Sequence, residues 1–191
     1  MTLARPAVVS LEEVSLRFDG SQVLQDVTLN LEAGTLNLLR GGNGSGKTTL
    51  LNVISGFLTP DKGRVRLHLN GTSVTTSGHS PEALARAGLG RVWQDIRLFP
   101  TMSVLDNVLA ASPSLLNVNP LFALAAFPWI RCRERDAREM ALRNLERVGL
   151  ADRVFSSCDM LSVGQMKRVA LARLLQMNAK LWLLDEPFAG V

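Results

Sequence analysis

Cysteine is scarce in this 191-residue chain: Cys132 and Cys158 are the only two, and they form no Cys-x-x-Cys pair. No cysteine set exists for a metal finger, and a reduced compartment is a simpler expectation than a disulfide framework. Long apolar runs are lacking too. The most apolar stretch, PLFALAAFPWI (120–130), is interrupted by Pro128 and falls short of the ~20 residues that a bilayer span needs. The opening MTLARPAVVS has no signal-peptide core. Aromatics are only 5% of the chain and form no array interleaved with basic residues, so a stacking platform for single-stranded nucleic acid is not expected. The basic run RCRERDAR (131–138) carries interleaved acids and reads as a solvated helix face.

Apolar residues, by contrast, make up 47% of the chain, which argues against disorder. A chain of this size buries roughly 70% of its unfolded surface and needs no staples. The formal charge of +4 and the pI near 9.7 admit an anionic partner without specifying one.

Period-2 alternation predicts strands at EVSLRF (13–18), with Val14, Leu16 and Phe18 on one face, at VTLNLE (27–32) and at RVRLHL (64–69). TLNLLR (35–40) is predicted as a further strand that runs into glycines. A helix is expected from Gly46 to about Phe57, with Leu50, Leu51, Val53, Ile54 and Phe57 on its apolar face. TPDKG (59–63) then reads as a type I turn with Gly63 in fourth place, and 71–81 as a loop. SVLDNVLAA (103–111) opens on a plausible Ser103 cap. RERDAREMALRNLERVGL (133–150) is an amphipathic helix with Met140, Leu142, Leu145 and Val148 as its apolar positions and Gly149 as its stop. No internal repeat is present. The pattern is an α/β core interrupted by a helical lobe at about 97–158.

GGNGSGKTT (41–49) fits G-x-x-x-x-G-K-[ST] through Gly41, Gly46, Lys47 and Thr48. Such a loop wraps a polyphosphate with inward-pointing amides, and side chains at Gly41, Gly42, Gly44 or Gly46 would block that approach. The helix that follows directs its partial positive charge at the same phosphates. Lys47 adds a mobile cation, and the Thr48 hydroxyl can ligate Mg2+.

KLWLLDE (180–186) is apolar up to its acids, as suits a central parallel strand buried on both faces. Ligands of open α/β sheets bind beyond the carboxyl ends of strands, so Asp185 can hold Mg2+ and Glu186 can orient or deprotonate a water. LSVGQMKRVALARLL (161–175) opens on a Ser162/Gln165 capping box, with Val169, Ala170, Leu174 and Met177 expected on one side of the helix. Gly164 beside the exposed amides suits an anion at close range.

Together these segments resemble the nucleotide-binding subunit of ABC transporters. GGNGSGKTT looks like the Walker A loop, LWLLDE like Walker B with its catalytic glutamate, LSVGQ like the signature, and Gln94 in GRVWQDIRLFP like the Q-loop glutamine. The resemblance runs from about residue 8 to the end. It implies a P-loop NTPase of the ABC type: a RecA-like α/β core with an N-terminal antiparallel β subdomain and an inserted helical lobe. In those terms the chain is a single incomplete ATP-binding domain, 1–191, with its core at about 1–96 and 159–191 and its lobe at 97–158.

The resemblance also implies a mechanism. Two subunits, identical or not, pair head-to-tail around two ATP molecules. Phe18 stacks on adenine, and Gly41, Gly42, Asn43, Gly44, Ser45, Gly46, Lys47, Thr48 and Thr49 hold the phosphates. Ser162, Gly164 and Gln165 of the other copy cover the γ-phosphate. Mg2+ is held by Thr48 and Gln94, with Asp185 through water, and Glu186 polarises the attacking water. Lys47 and Gln94 complete the catalytic set. The lobe docks on transmembrane permease subunits at the cytoplasmic face of the inner membrane. WQDIRLFPTMSVLDNVL (93–109) and the EPFAGV ending look most like importers of branched-chain amino acids, urea and similar polar solutes. Val163 replaces the first glycine of the signature, Gly42 a common proline, and Phe18 a commoner tyrosine.

The resemblance further implies that a complete subunit continues past EPFAGV with a D-loop aspartate, a strand between the Walker A and Walker B strands, and a switch histidine. His68 lies in a strand pattern and His79 in a polar loop, so neither is expected to substitute. The expectation is an incomplete copy that binds ATP weakly and turns it over poorly by itself. Rival readings are a soluble ABC-type ATPase acting on nucleic acid or ribosomes, and a non-catalytic fragment.

Overall fold

The computed structural model describes residues 7–116 and 127–186. Most of the apolar run at 120–130, and everything after Glu186, lies outside them. The chain divides into two units, Met1–Leu89 and Gly90–Val191.

The first unit is a sheet with two helices. Strands β1 (Ala7–Phe18), β2 (Ser21–Glu32), β3 (Lys62–Leu69) and β4 (Thr72–Thr75) lie in the order β2-β1-β3-β4, every neighbour antiparallel. Helix α1 (Lys47–Ile54) follows the glycine loop, and α2 (Pro81–Ala87) is capped by Ser80. One-sided alternation holds in β3, where Val65, Leu67 and Leu69 are buried opposite Val9 and Leu11 of β1. In β1, Val14 and Leu16 are buried, but Phe18, at the strand end, is exposed.

Four readings change. TLNLLR (35–40) is not a strand: Leu36 is 96% exposed and Leu38 72%. Among the described residues no strand lies beside it, and a strand exists only through a neighbour's ladder. Phe57 is exposed, because α1 stops at Ile54 and Gly56 turns the chain at φ +75. Gly63 lies within β3 rather than closing a turn. Its φ is +79, and a β-carbon there would run into the carbonyls of Glu12 and Glu13, where the β1–β3 register shifts. Finally, the loop at 71–81 contains β4. Asn70 and Gly71, at φ 51 and 76, supply the two left-handed positions of a tight hairpin.

The second unit is mainly helical. Strand β5 (Leu89–Val92) pairs with β6 (Leu181–Leu184). Between them come α3 (Val104–Leu109), α4 (Pro113–Leu116), α5 (Phe127–Arg147), two short 3-10 turns at Ala151–Arg153 and Cys158–Met160, and α6 (Val163–Met177). Ser103 caps α3 by accepting from the Asp106 N–H at 3.0 Å, as expected. Val104, Leu105, Val108, Ala141, Leu145, Leu150, Val169 and Ala172 form one buried cluster. Gly149 ends α5 at φ +68, and Arg168 of α6 donates to the Val148 and Gly149 carbonyls.

Two faces differ from expectation. The buried stripe of α5 runs through Ala137, Ala141, Asn144 and Leu145, while Met140 and Leu142 face outward. The helix packs closely through alanines, and its buried asparagine is satisfied: Asn144 donates to Gln176 of α6, which donates in turn to Ser112 and the Ala137 carbonyl. Strand β6 buries only Leu183 fully, and Trp182 is exposed; among the described residues β5 is its sole neighbour.

The two thiols differ sharply. Cys158 is buried in the helical cluster, and burial pushes its thiol above the ordinary range, with Asp159 adding to the effect. Cys132 is exposed on α5. A thiol reagent at about pH 8 is expected to titrate Cys132 promptly and Cys158 only on denaturation; two fast-reacting thiols in the native chain would contradict this packing.

Candidate nucleotide-binding and catalytic site

Gly46 shows why the phosphate-loop motif folds as it does. It is the N-cap of α1 at φ +85, and a β-carbon there would approach the Val23 carbonyl of β2 to 3.0 Å. Only glycine joins a left-handed turn to that close approach. Helix α1 then begins at once, with the Leu50 N–H donating to the Gly46 carbonyl at 2.8 Å. Lys47 folds back along the loop, and its Nζ donates to the carbonyls of Gly41 (2.9 Å) and Gly42 (2.7 Å). The Ser45 N–H donates to the Gly42 carbonyl. Gly41, Gly42, Asn43, Gly44 and Ser45 are exposed, as is Thr48 in the first turn of α1, while Thr49 is half-buried. The structure brings Lys47, Gly41 and Gly42 together.

In the second unit the acids separate at the tip of β6. The Asp185 N–H extends the ladder by donating to the Val92 carbonyl at 3.1 Å, which turns its carboxylate inward. There Arg91 of β5 faces it at 3.5 Å, the two side chains only 4% and 8% exposed. Burial pushes the Arg91 guanidinium down, and the Asp185 charge opposes that shift. Glu186 points outward at φ 47, in the left-handed region. Its backbone carbonyl accepts from Nζ of Lys167, a buried lysine on α6, at 3.2 Å.

The signature segment forms its box: Ser162 Oγ accepts from the Gln165 N–H, and Gln165 Oε1 accepts from the Ser162 N–H. Gly164 is half-buried in the first turn. Gln94 is exposed, and the segment around it is held at three points. Trp93 stacks with Arg91 (3.7 Å) and Arg97 (4.0 Å). Arg173 of α6 donates to the Arg97 carbonyl at 2.6 Å, its guanidinium pushed down by burial. Asn107 of α3 accepts from the Phe99 N–H and donates to the Phe99 carbonyl.

Motif reading missed Arg91, Lys167, Arg173 and Asn107. A visible signal for Arg91 was a cation inside the short apolar strand LGRV. For Lys167 it was a lysine seven residues before Leu174, on the same face of α6 as that buried leucine.

The donors assigned to Mg2+ are a hydroxyl, an amide oxygen and a carboxylate, all hard oxygens. No group of three His, Cys, Asp or Glu side chains able to hold a metal occurs among the described residues. Each of those donors, taken singly, is a hard oxygen of the kind that Mg2+ accepts beside phosphates and water.

A glycine loop feeding a helix, with its lysine laid back on the loop, defines a nucleotide-binding protein of the P-loop class. The ABC transporter family matches residues 24–189, and the chain belongs to it. It is 34% identical over 189 residues to the high-affinity branched-chain amino acid transport ATP-binding protein BraF of Pseudomonas aeruginosa, covering 99% of this chain and 72% of that one. It is 36% identical over 187 residues to the phosphonates import ATP-binding protein PhnC of Escherichia coli O157:H7, covering 96% and 69%. A crystal structure of the ADP conformation of an ATP-binding cassette of an ABC transporter aligns with a TM-score of 0.77 and 34% identity, over 97% of this chain and 71% of that one.

Proposed function

We propose that the chain is the ATP-binding subunit of an importer for branched-chain amino acids or similar polar solutes. The observation that carries this reading is the Lys47-strapped glycine loop at the start of α1, in a member of the ABC transporter family. The solute class follows the relatives named for branched-chain amino acid transport in Pseudomonas aeruginosa and Archaeoglobus fulgidus.

In this reading the Gly41–Thr49 loop and the α1 N-terminus bind the triphosphate, and Phe18 stacks on adenine. Thr48, Gln94 and Asp185 would hold Mg2+, which when bound supplies charge neutralisation at the β- and γ-phosphates. Glu186, presented outward by the turn that Lys167 holds, orients and deprotonates the attacking water. Ser162, Gly164 and Gln165 serve the γ-phosphate of a second ATP-binding subunit; a dimeric cassette bound to ADP and phosphate aligns with this chain at 27% identity and a TM-score of 0.74. No helix among the described residues is long and apolar enough to cross a membrane, so the reading places the chain peripherally, on the cytoplasmic face, against separate permease subunits. A docking surface is available: Phe99, Met102, Phe155 and Met160 are exposed on two segments joined by the Cys158–Met102 and Asp159–Pro100 backbone hydrogen bonds.

Titration of the full chain with a fluorescent ATP analogue tests the central claim. Lys47→Ala is expected to weaken binding by about 10–100-fold, since a hydrogen bond to a charged group contributes about 1.5–3 kcal/mol. Unchanged affinity would remove the loop from the site. Co-purification with membrane-spanning partners tests the docking assignment.

A further inference from the structure

We propose that the pocket at the β1 bulge binds a zwitterion, a free α-amino acid whose ammonium meets Glu13 and whose carboxylate meets Arg64. The pocket is built from the first unit alone and goes beyond the nucleotide chemistry proposed above.

The backbone makes the pocket. Between the ladder pairs Leu11 with Leu29 and Val14 with Val27, Glu12 and Glu13 of β1 oppose Thr28 of β2 alone. Between Glu12 with Arg64 and Ser15 with Lys62, Glu13 and Val14 oppose Gly63 of β3 alone. Glu13 is common to both irregularities and sits at φ 50. Its N–H leaves the ladder for Thr28 Oγ1 at 3.1 Å. A bulge of this kind re-aims a side chain. A pocket of about 590 Å3 opens here, lined by Glu12, Glu13, Thr28, Gly63 and Arg64. Small-ligand sites run from about 300 to 1,000 Å3.

The lining is of mixed sign and unequally engaged. Both oxygens of Glu12 are occupied: Oε2 accepts from Nε of Arg64 and Oε1 from Nη1 of Arg66. That pairing anchors Arg64 by its Nε. Its two terminal nitrogens, donors of the kind that suit a carboxylate, have no partner among the described residues. The Glu13 carboxylate likewise has no hydrogen-bond or ion-pair partner among them. The Thr28 hydroxyl accepts from the Glu13 N–H and keeps its own proton to donate. One cavity thus offers an unmatched carboxylate, guanidinium donors and a hydroxyl. A simple anion would meet the Glu13 charge, and a simple cation would leave the Arg64 donors unmet. A ligand with an ammonium and a carboxylate on one carbon satisfies both. That is also the class of solute proposed for the importer, although the site does not depend on that reading.

The experiment titrates the full chain and follows its amide NMR shifts. The probes are L-leucine, isoamylamine, which lacks the carboxylate, and isocaproate, which lacks the ammonium. Leucine is expected to give saturable shifts at the amides of Glu13, Thr28 and Gly63. Each analogue should bind about fivefold more weakly, the upper end for an exposed ion pair. Glu13→Gln should lower leucine affinity by a similar factor and erase its advantage over isocaproate. Arg64→Gln should erase its advantage over isoamylamine, as a coupled pair requires. Should Arg64→Gln fold poorly, the two analogues on the native chain still decide. The inference is overturned if leucine gives no saturable shift or the shifts map elsewhere. It is overturned equally if isoamylamine binds as tightly as leucine, which makes this a cation site only, or if isocaproate does, which makes it an anion site only. Failure of the nucleotide reading shows separately, as an unchanged nucleotide affinity in Lys47→Ala.

Discussion

Replacing Glu186 by glutamine is expected to lower ATP turnover in the assembled transporter by about 10²–10⁴-fold, the usual contribution of a positioned general base, with nucleotide affinity held within about twofold. The two acids of the β6 tip differ in environment. Asp185 is turned inward and matched by Arg91, whereas Glu186 is exposed and sits in the left-handed region at φ 47. A non-glycine residue held there costs about 1–3 kcal/mol and persists only where its surroundings enforce it. Here the β5–β6 ladder holds the residue before it, and Lys167 holds its carbonyl. Glutamine matches glutamate in shape and retains the backbone contacts, so folding and nucleotide binding should survive while proton acceptance is lost. A fall in kcat at constant KM identifies a group acting in the transition state. If glutamine supports full turnover, the acid merely ends a turn.

Legibility followed the range of the interactions. The glycine loop, the signature capping box and the Ser103 cap are each closed within a few residues, and their sequence patterns were sufficient to read them. The alternation of β3 was readable because one face of that strand is buried and the other is not. TLNLLR was misread because its leucines resemble a strand while the strand itself depends on a neighbour. Strand β4 was missed although Asn70–Gly71 is a strong hairpin signal; its own four residues, TSVT, carry little apolar pattern. On α5 the larger apolar residues, Met140 and Leu142, drew attention away from the alanines and Asn144 that make the buried face. The motif residues stood out in the sequence, whereas the side chains packed around them did not. Arg91, Lys167 and Asn107 take their meaning from partners far along the chain.

Asn107→Ala is expected to destabilise the second unit by about 3–5 kcal/mol, the range for leaving several buried polar groups unsatisfied at about 1–3 kcal/mol each. The Asn107 side chain is wholly buried. Its Oδ1 accepts from the Phe99 N–H at 2.8 Å. Its Nδ2 lies 3.0 Å from the carbonyls of Phe99 and Ser103 and 3.2 Å from Cys158 Sγ. It thus joins the exit of the Q-loop, the α3 cap and the 3-10 turn that carries Cys158. Asn107→Leu keeps the volume but not the bonds, so it should fall nearly as far as alanine; a loss caused only by the cavity would instead be restored by leucine. Asn107→Asp keeps the acceptor for Phe99 yet turns an oxygen toward carbonyls, and it should rescue neither. Chemical denaturation gives the global loss as a lower midpoint at unchanged slope. The rate of Cys158 alkylation gives the local one, since loosening this junction opens the packing around that thiol first. A shift within about 0.5 kcal/mol, as for an ordinary surface substitution, would mean that these groups find other partners. In that case the Q-loop exit is held by Arg173 on the Arg97 carbonyl and by the stack of Arg97 on Trp93.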